Sequence, residues 1–578
     1  MTPLWGPTLL APDRTRFRLW APGCEAVTLE IDGGAAIAMT RDDDGWFEAE
    51  ATVGAGARYR FRVSDDLAIP DPASRAQAGD VHGWSIVVDP AAYRWQTDAW
   101  RGRPWEETIL YECHPGTMGG FAGIAEALPA LAELGITAIE LMPVAAFSGK
   151  RNWGYDGVLP YAPASDYGTP DDLKALIDRA HGLGLMMVLD VVYNHFGPDG
   201  NYLPGIAPAF FDEARHTPWG DAIAFQRDEV AHYFIDNARM WIEDYRFDGL
   251  RFDAVHAIED NGFLDRLAAE IRAGAGDRHV HLVLENESND AERLSDEQFD
   301  AQWNDDFHNV LHCLLTGEDG AYYQDFADHP AERLARCLGE GFIYQGEGSA
   351  NHDGKPRGKP SGHLPPTRFV SFLQNHDQVG NRALGERLLL LTDPARLKAA
   401  TALLLLCPHI PMLFMGEEAG SRAPFLFFTD FHDELADAVR EGRRKEFAKF
   451  PAFADPEQRE TIPDPNAVAT FEASRAASGD DGATWRDFYR SLIALRADRI
   501  VPHLAGAAAV RAEVVGDKAV VARWTLGDGA TLTIALNLGE AMAPVAAPSA
   551  TPLSIVGTGL IDQTLAPASC VAWLEAAA

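Results

Sequence analysis

Three patterns of apolar and polar positions follow one another along this chain of 578 residues. Residues 1 to about 97 alternate in period two, as at 17–20, 27–31 and 59–63, and Gly, Pro and Asp separate these runs. Such alternation is typical of strands that have one face in a core and the other in water. The segment 1–97 is therefore predicted to be a small β-sandwich.

From about 105 to 420, short apolar runs alternate with stretches of helical period. Eight such strand–helix units predict a (β/α)₈ barrel within a domain spanning residues 98–499. A doubly wound open sheet is the alternative, but no Gly-rich phosphate turn follows the first strand. The predicted strands are 108–113, 138–142, 186–192, 249–255, 281–285, 299–303, 369–374 and 411–415. The predicted helices are 124–134, 170–183, 230–245, 263–273 and 395–406.

The last part of the chain returns to the strand pattern. A helix at 485–499 precedes apolar runs at 520–524 and 531–536 with Gly-Asp turns, which predicts an all-β domain over residues 500–578. The most apolar segment, 399–415, is interrupted by Pro408, His409 and Pro411. It is predicted to be a core helix followed by a strand, not a membrane span.

Charge and cysteine usage narrow the partners. The chain has 86 acidic against 49 basic residues and a net charge of −37. Such a field repels phosphates, so a neutral substrate is expected rather than nucleic acid or an anionic membrane. The six cysteines are scattered without metal-like spacing, and residues 1–7 lack the pattern of a secretion signal. A cytoplasmic protein with reduced thiols and no metal is therefore predicted.

Acidic residues and histidines gather at the ends of the predicted strands. In a barrel the carboxyl ends of the strands form one rim, where active sites lie. Chance accounts for one or two such residues at this rim, but poorly for carboxylates at four strand ends. The residues expected to meet there are Asp190 and His195, Asp253 and His256, Glu285, and His376 with Asp377.

The kinds of residue at this rim favour one reaction class. There is no phosphate cradle, no metal-type His/Cys cluster and no Gly-x-Ser-x-Gly motif. Paired carboxylates with aromatic neighbours are the equipment for breaking a glycosidic bond. Arg251 shares a strand face with Asp253, which is expected to keep that carboxylate ionised, although the pair alone is equally compatible with an ordinary buried ion pair. Trp153, Tyr155 and Trp219 lie in nearby loops where sugars stack, and each alone is more often a packing residue.

The segments 190–195, 251–256, 285 and 376–377 resemble, in order and spacing, the four signature segments of the α-amylase family of glycoside hydrolases. The resemblance extends over nearly the whole chain. It implies that Asp253 is the nucleophile, Glu285 the general acid/base and Asp377 a transition-state stabiliser. Some members of the family bind calcium, but no clear carboxylate cluster for it is present in this sequence, so no cofactor is predicted. It also implies that the subsite of the attacked glucose is lined by His195, Arg251 and His376, with Tyr155 stacking beneath the sugar.

Further segments are similar to one group within that family: 152–157, 303–309, 372–382, 415–418, 424–431 and 440–447. Enzymes of that group cut the α-1,4 bond next to a terminal trehalose unit and release trehalose. The resemblance thus implies a malto-oligosyltrehalose substrate and a companion synthase that makes it. The other predicted sugar contacts are Phe252, His256, Asp305, Asp306, Phe307, His308, Asn309, Gln378, Asn381, Glu417 and Glu418.

Two expectations concern the mechanism. Glu285 should be protonated at rest, in a site drier or closer to like charge than that of Asp253. A retaining reaction requires the two carboxyl groups to lie roughly 5–5.5 Å apart. Glu287 is the rival for the acid, and Glu285 is preferred because it ends the apolar run.

Three other functions use similar parts. A glucan branching enzyme has the same trio but transfers the glucan to a sugar hydroxyl, and a debranching enzyme cuts α-1,6 bonds. A glucan-binding scaffold without catalysis is expected to have lost one of the carboxylates, and all three are present. Residue spacing does not separate hydrolysis from transfer, because exclusion of water depends on the shape of the acceptor site.

Overall fold

A closed barrel of eight parallel strands forms the centre of the computed structural model, which describes residues 4–34, 36–258 and 261–577. Residues 1–3 of the N-terminal stretch considered above lie outside the described residues. The predicted (β/α)₈ fold is confirmed, and the strands follow one another around the barrel in chain order. They are β1 (Leu110–Cys113), β2 (Ala138–Leu141), β3 (Met186–Val191), β4 (Gly249–Phe252), β5 (His281–Leu284), β6 (Ala301–Trp303), β7 (Phe369–Ser371) and β8 (Ile410–Phe414).

Most strands end one to three residues earlier than the apolar runs suggested. β4 ends at Phe252 and β5 at Leu284, so Asp253 and Glu285 stand in the first turn beyond their strands. Asp190 still lies within β3, opposite Arg251 in the register of β3 and β4. The rim therefore holds side chains at two heights, with Asp190 and Arg251 below Asp253 and Glu285.

The described residues contain nine longer helices. Eight of them are α1 (Gly120–Leu134), α2 (Pro170–Gly182), α3 (Asp228–Glu243), α4 (Asn261–Ala275), α5 (Asp305–Thr316), α6 (Pro330–Glu340), α7 (Pro394–Leu406) and α8 (Gly482–Arg499), and the ninth, Asp433–Phe447, lies in the segment between β8 and α8. Their ends follow the local chemistry. Thr169 and Asp172 form a reciprocal capping box at the start of α2, with Pro170 at its first position. Gly135 closes α1 at φ 102°, a left-handed conformation that favours glycine.

One strand–helix unit departs from the expected pattern. Between β5 and β6, where every residue is described, the chain forms a short 3₁₀ turn (Ala291–Arg293) and no α-helix, whereas two helices follow β6. Asn and Asp side chains hold this connection by local hydrogen bonds. Asn286 Oδ1 accepts from Ser288 N at 3.0 Å, and Asp290 Oδ1 accepts from Glu292 N at 3.2 Å. Such side chains favour turns over helix, which explains the missing unit.

Two antiparallel sheets precede the barrel, as the period-two alternation predicted. Trp5 joins them to the barrel, because its indole N–H donates to Glu229 O at 2.9 Å and its ring lies 4.9 Å from that of Tyr233, both in α3. The first sheet contains Thr8–Ala11, Arg14–Trp20, Trp46–Ala51 and Thr40–Arg41. The second contains Ala36–Ala38, Thr28–Ile31, Arg58–Arg62, Trp84–Ile86, Gln77–Ala78 and Ala68–Ile69.

The C-terminal part is built from sheets of five and three strands. The larger contains Ala508–Gly516, Ala519–Thr525, Thr531–Asn537, Ser569–Glu575 and Ser554–Val556, and the smaller Ala543–Pro544, Thr564–Leu565 and Leu560–Ile561. The larger sheet contacts α6 and α7 on the outside of the barrel. Trp524 Nε1 donates to Leu338 O at 3.2 Å, and Lys518 Nζ donates to Leu314 O at 3.0 Å.

The apolar segment 399–415 is accounted for by this packing. It forms most of α7 and all of β8, and residues 399–406 of α7 are all buried. A helix that is apolar on all sides needs neighbours on all sides, and α7 has the barrel on one side and the C-terminal sheet on the other. Across the described chain, no helix combines the length and the apolar character that crossing a bilayer requires.

Candidate active site

Arg251 organises a cluster of carboxyl groups at the rim of the barrel. Its Nη1 atom donates to both oxygens of Asp190, at 2.8 and 2.7 Å, and to Asp253 Oδ1 at 2.9 Å. Its Nη2 atom lies 2.9 Å from Glu285 Oε2, and its guanidinium lies 4.0 Å above the ring of Trp303. Three strand ends are thus joined through one fully buried cation.

The backbone after β4 also turns toward Glu285. Ala254 adopts φ 41°, a left-handed conformation that is costly for a residue with a Cβ atom. In this conformation its N–H donates to Glu285 Oε2 at 2.8 Å. Glu285 therefore receives Arg251 and a backbone donor on the same oxygen, which fixes its carboxyl group beside that of Asp253.

Asp377 completes the trio at the opening of the pocket. It lies in a short helix, His376–Gly380, that is capped by the side chain of Asn375. Asp377 Oδ1 accepts from Asn381 Nδ2 at 3.2 Å and lies 3.4 Å from His376 Nε2. The side chains of Asp253, Glu285 and Asp377 are 11 %, 18 % and 38 % exposed. Because the charges of these three groups act on one another, we treat the surface that they keep exposed as a single opening.

The pKa shifts of Asp253 and Glu285 run in opposite directions. Burial, the charge of Glu285 and the charges of Asp190 and Asp377 raise the pKa of Asp253 well above its usual value. Burial also disfavours the charge of Glu285, but Arg251 and the Ala254 N–H outweigh it and lower the pKa of Glu285. Both shifts run opposite to the expectation of an ionised Asp253 and a protonated Glu285 in the free protein. Arg251 is shared among three carboxyl groups and cannot keep all of them ionised.

Asp305 adds a further carboxyl group at the end of β6. Burial and the charges of Glu285 and Asp377 raise the pKa of Asp305 to about 8. Gln378 Nε2 donates to its Oδ1 atom at 3.2 Å. A carboxyl group that stays protonated near neutral pH can donate a hydrogen bond as well as accept one.

Aromatic and histidine side chains form the wall opposite the carboxyl groups. Tyr155 is half-buried, its hydroxyl donates to Asp190 Oδ2 at 2.6 Å, and its ring stacks on His376 at 5.0 Å. His195 Nε2 donates to Tyr155 O at 2.9 Å, and the His195 ring stacks on Trp219 at 4.7 Å. Burial lowers the pKa of His195 to about 4, so this side chain is neutral at physiological pH. Trp219 is 47 % exposed and Trp153 is buried.

Several predicted sugar contacts lie away from this opening. Phe252 points outward between Tyr193 and Phe299, as expected from strand alternation. Asp306 accepts from Ile343 N at 2.8 Å, and His308 Nδ1 donates to Leu373 O at 2.5 Å. Four residues that were predicted to contact the sugar are nearly or fully buried by packing, and for them the prediction is wrong. They are Phe252, Asp306, Phe307 and His308.

Other predicted contacts remain at or near the rim with part of their surface exposed. Gln378 and Asn381 touch the carboxyl cluster through Asp305 and Asp377. His256 lies one turn past Ala254, and its Nδ1 atom accepts from Glu287 N at 3.4 Å. Asn309 lies on α5, and no side-chain hydrogen bond among the described residues ties it to the cluster.

Arg251 and His376 were expected to touch the sugar directly. The structure leaves the Arg251 side chain 0 % and the His376 side chain 1 % exposed. Both lie behind the residues that face the opening, Arg251 behind Asp253 and Glu285, and His376 behind Tyr155 and Asp377. Their positions suit them to orienting and charging these groups rather than to binding the sugar themselves.

Glu417 and Glu418 anchor the loop after β8 instead of facing the opening. Glu417 Oε1 accepts from Phe414 N at 2.9 Å, and its Oε2 accepts from Tyr489 of α8 at 3.3 Å. Glu418 Oε2 accepts from Tyr111 and from Gly416 N. Burial raises the pKa of Glu417 to about 7, so it is largely protonated below neutral pH.

Glu417 therefore affects the pH dependence of stability. The folded state binds its proton more tightly than the unfolded chain, so its contribution is complete below about pH 4.5 and is lost as the pH rises through about 7. Glu417→Gln stays neutral at all these pH values. At about pH 8 we expect its free energy of unfolding to exceed that of wild type by up to about 3 kcal/mol, with a correspondingly higher unfolding temperature. At about pH 5 the difference should be smaller. Calorimetry at the two pH values measures this, with the exposed Glu434→Gln as control. A pH-independent difference would contradict it.

Three buried residues beneath the pocket were missed by the sequence reasoning. Glu112 accepts from His376 Nδ1 at 2.5 Å and from His376 N at 3.0 Å. Glu140 faces Glu112 in the register of β1 and β2, and neither of its oxygens has a protein partner. Trp303 supports Arg251. The available signal was a single acidic residue inside each of two otherwise apolar strands.

The described residues contain no group of three His, Cys, Asp or Glu side chains arranged to hold a metal ion. All six cysteines are free thiols. The groups that meet at the barrel rim are carboxyl groups, and those of Asp190, Asp253 and Glu285 are largely buried. Asp253 and Glu285 are two neighbouring carboxyl groups whose pKa values are shifted in opposite directions beside Arg251. Such a pair can supply the nucleophile and the general acid that cleavage of a glycosidic bond needs.

Comparisons with known proteins agree with this geometry. A family model described as the α-amylase catalytic domain matches residues 86–206, and one described as a domain of unknown function matches residues 507–573. The chain is 42 % identical over 501 residues to a malto-oligosyltrehalose trehalohydrolase of Deinococcus radiodurans, covering 85 % of this chain and 82 % of the relative. It is 41 % identical over 503 residues to the enzyme of that name from Saccharolobus solfataricus, covering 84 % and 86 %.

A solved structure is similar over the entire length. The crystal structure of a protein from Salmonella typhimurium named as an alpha amylase superposes with a TM-score of 0.94. The two chains are 46 % identical, and the superposition covers 100 % of each. The barrel and both flanking β-regions therefore recur together in a protein of known structure.

Proposed function

The chain belongs to the malto-oligosyltrehalose trehalohydrolases of the α-amylase family, and on this premise we propose that it hydrolyses the α-1,4-glucosidic bond next to the trehalose end of malto-oligosyltrehalose. The products are trehalose and the remaining malto-oligosaccharide. A neutral sugar substrate is compatible with the net charge of −37. The protein is a glycosidase, and its reaction belongs to trehalose biosynthesis.

One observation carries the proposal: the side chains of Asp253 and Glu285 meet on Arg251, with Asp377 beside them at the same opening. A glycosidase with retention of configuration needs a nucleophile and an acid on either side of one glycosidic bond. Asp253 and Glu285 both lie 2.9 Å from Arg251 and keep exposed surface, whereas Asp190, which also contacts Arg251, is buried. We assign the nucleophile to Asp253, the acid/base to Glu285 and the stabilising carboxylate to Asp377.

In the first step an oxygen of Asp253 attacks the anomeric carbon, and the bond from that carbon to the bridging oxygen breaks. The proton of Glu285 goes to the bridging oxygen, so trehalose leaves as a neutral alcohol. The electron pair of the broken bond goes to the same oxygen. The sugar is then held to Asp253 as a β-glycosyl ester.

In the second step a water molecule replaces the trehalose. Glu285, now ionised, accepts a proton from this water as its oxygen attacks the anomeric carbon. The bond to Asp253 breaks and its electron pair returns to the carboxylate. The two inversions give an α product, so the reaction proceeds with retention.

The free protein must redistribute one proton before this sequence begins. Asp253 has the raised pKa and Glu285 the lowered one, so the pair rests with its proton on the nucleophile. A glycosidic oxygen next to Glu285 offers an acceptor for a proton on that residue only. Binding of the sugar therefore favours the form with Glu285 protonated and Asp253 ionised, in which attack can occur.

Sugar binding is assigned to the side chains that keep exposed surface around this opening. Tyr155 presents its ring beneath the attacked glucose, and His195 borders it as a neutral hydrogen-bonding group. The polar rim residues next to the trio are suited to sugar hydroxyls, because each keeps part of its surface exposed beside the carboxyl groups. They are Asp305, Gln378 and Asn381, with His256 and Asn309 farther from the trio.

Product analysis tests the function directly. Incubation with maltotriosyltrehalose is expected to release trehalose and maltotriose, with maltotriose appearing first as its α anomer in a proton NMR time course. A plain maltodextrin of equal length should be cut far more slowly, since it lacks the trehalose end. A β anomer appearing first would overturn the double displacement.

The same product analysis, extended to a long maltodextrin and to pullulan, separates the rival reactions. A branching enzyme would instead produce new α-1,6 linkages from a long maltodextrin, and a debranching enzyme would cut pullulan at such linkages. A glucan-binding scaffold would retain the oligosaccharide without any product. Trehalose release from maltotriosyltrehalose alone supports the proposed reaction against all three.

The setting of the reaction is also part of the proposal. We place the enzyme in the cytoplasm, where its six free thiols stay reduced. Its substrate carries a trehalose end, which a companion synthase must form from the reducing end of a malto-oligosaccharide. Deletion of that synthase from the source cell should remove the substrate and with it trehalose formation by this route.

A further inference from the structure

We infer that Glu112 is a positioning residue, one that orients His376 beneath the pocket and keeps it in the doubly protonated form that faces Asp377. This inference deepens the proposed function and rests on it for the reaction. Glu112 touches neither the opening nor the trio, since it is 1 % exposed and lies at the upper end of β1. Its effect passes through His376.

The contacts between Glu112 and His376 use both oxygens of the carboxyl group. Oε1 accepts from the ring Nδ1–H at 2.5 Å, and Oε2 accepts from the backbone N–H at 3.0 Å. A carboxylate that accepts two such bonds fixes both the ring plane and the start of the short helix that carries Asp377. The ring is further held by stacking on Tyr155 and by the edge of Trp153.

The same contacts determine which nitrogens carry protons. Because Nδ1 donates to Glu112, a proton on Nε2 makes the ring a cation, and Nε2 lies 3.4 Å from Asp377 Oδ1. Burial disfavours that charge, but Asp377 and Glu112 outweigh it and raise the pKa of His376 to about 9. The cation in turn favours the ionised form of Asp377, whose own pKa is raised by burial and by Glu285.

Charged and titratable groups from four strands and from the loops after them face His376. Acidic groups outnumber cationic ones around the ring. Removal of one acidic neighbour should therefore lower the pKa of His376, while the remaining acidic groups still favour its cationic form. The groups that face His376 are Glu112 from β1, His114 after β1, Glu140 from β2, Tyr155 after β2, Asp190 from β3, Arg251 from β4 and Asp377 beside it.

Glu140 provides a matched control for Glu112. The two carboxyl groups are register partners on neighbouring strands and are equally buried. Glu140, however, makes no hydrogen bond to the protein, and burial with the charges of Glu112 and Asp190 raises its pKa well above the usual value. Glu140→Gln replaces a neutral acid by a neutral amide, whereas Glu112→Gln removes a charge next to His376.

The pH profile of kcat/KM for trehalose release distinguishes the two variants. Activity that requires the cationic His376 persists below the pKa of the ring and is lost above it, so the wild-type alkaline limb should lie near pH 9. Glu112→Gln should move this limb down by about 1–3 pH units, and at about pH 8.5 its kcat/KM should be about threefold or more below wild type. At about pH 6 the two should differ much less. Glu140→Gln should leave the limb where it is.

A second measurement reads the state of the ring in the wild-type enzyme and does not depend on activity. In wild-type enzyme with ¹⁵N-labelled histidine, the ring of His376, assigned by its absence in His376→Gln, should show both nitrogens protonated at about pH 7.5. A singly protonated ring, or an alkaline limb unmoved in Glu112→Gln, would overturn the inference. If the wild type released no trehalose at any pH, the proposed function would fail, while the state of the ring would still be read.

Discussion

Replacing Asp253 by Asn is expected to lower kcat for trehalose release by about a millionfold, as removal of a nucleophile does elsewhere. Asn cannot form the covalent ester, because its amide nitrogen and oxygen are poor nucleophiles at neutral pH. The side chain keeps the shape of Asp253 and can still accept from Arg251 Nη1. Single-turnover kinetics on maltotriosyltrehalose measures the loss.

The fold and the binding of the substrate should survive this change. Burial and neighbouring carboxyl groups raise the pKa of Asp253, so a neutral amide is easier to hold at this position than a carboxylate. The unfolding temperature of Asp253→Asn should equal or exceed that of wild type, in line with the stability cost of active sites. Titration calorimetry should still detect binding. A correctly folded variant that keeps a substantial share of kcat would remove Asp253 from its role.

A neighbouring acidic residue provides the control for position. Asp156 is half-buried in the loop that carries Tyr155, and its Oδ2 accepts from Asn152 Nδ2 at 2.6 Å. Asp156→Asn preserves an acceptor for that bond. Its kcat should stay close to wild type, which separates loss of the nucleophile from general damage to the rim.

Glu285→Gln is expected to lower kcat by about 10²–10⁴, the range for removal of a general acid/base. The parallel variant is Glu287→Gln, two residues along, which tests the rival for the same role. Glu287 is 54 % exposed and its oxygens lie beside His352 at 3.2 Å and His256 at 3.8 Å, away from Arg251. Its kcat should remain near wild type. A large loss in Glu287→Gln with little in Glu285→Gln would reverse the assignment.

A substrate with a better leaving group checks that the lost function of Glu285 is proton donation. Fluoride leaves without being protonated, so α-maltosyl fluoride makes the acid dispensable in the first step. The defect of Glu285→Gln in that step should be much smaller with the fluoride than with maltotriosyltrehalose. Asp253→Asn should remain equally inactive on both, because the nucleophile is needed in each case. Equal defects for Glu285→Gln on both substrates would argue against its role as the acid.

The barrel and the meeting of the trio were predictable because they depend on short-range rules. Apolar runs of strand length, separated by stretches of helical period, predict the order of the units. Alternation along β4 places Arg251 and Asp253 on one face and Phe252 on the other, and the 2.9 Å contact from Arg251 to Asp253 confirms this. The domain boundaries at 97 and 499 and the assigned roles stay predictions.

What the sequence could not provide depends on counting neighbours in space. The pKa of Asp253 is raised and that of Glu285 is lowered while one guanidinium serves Asp190, Asp253 and Glu285 together, and no spacing along the chain reveals that sharing. The whole segment 303–309 resembles the corresponding segment of the family, but successive side chains at the start of α5 point to different places, some to the rim and others to the core. Asp305 consequently stays near the opening while Asp306 is buried.

The position of α7 has a consequence for anyone who wishes to trim this protein. Its residues 399–406 are buried, and the face of α7 that contacts the C-terminal sheet is formed by apolar side chains. A gene cut after α8 would bare that face to water, and the shortened product should be recovered as aggregates rather than as a minimal enzyme. Tags and fusion partners therefore belong at the chain termini, with the last sheet retained.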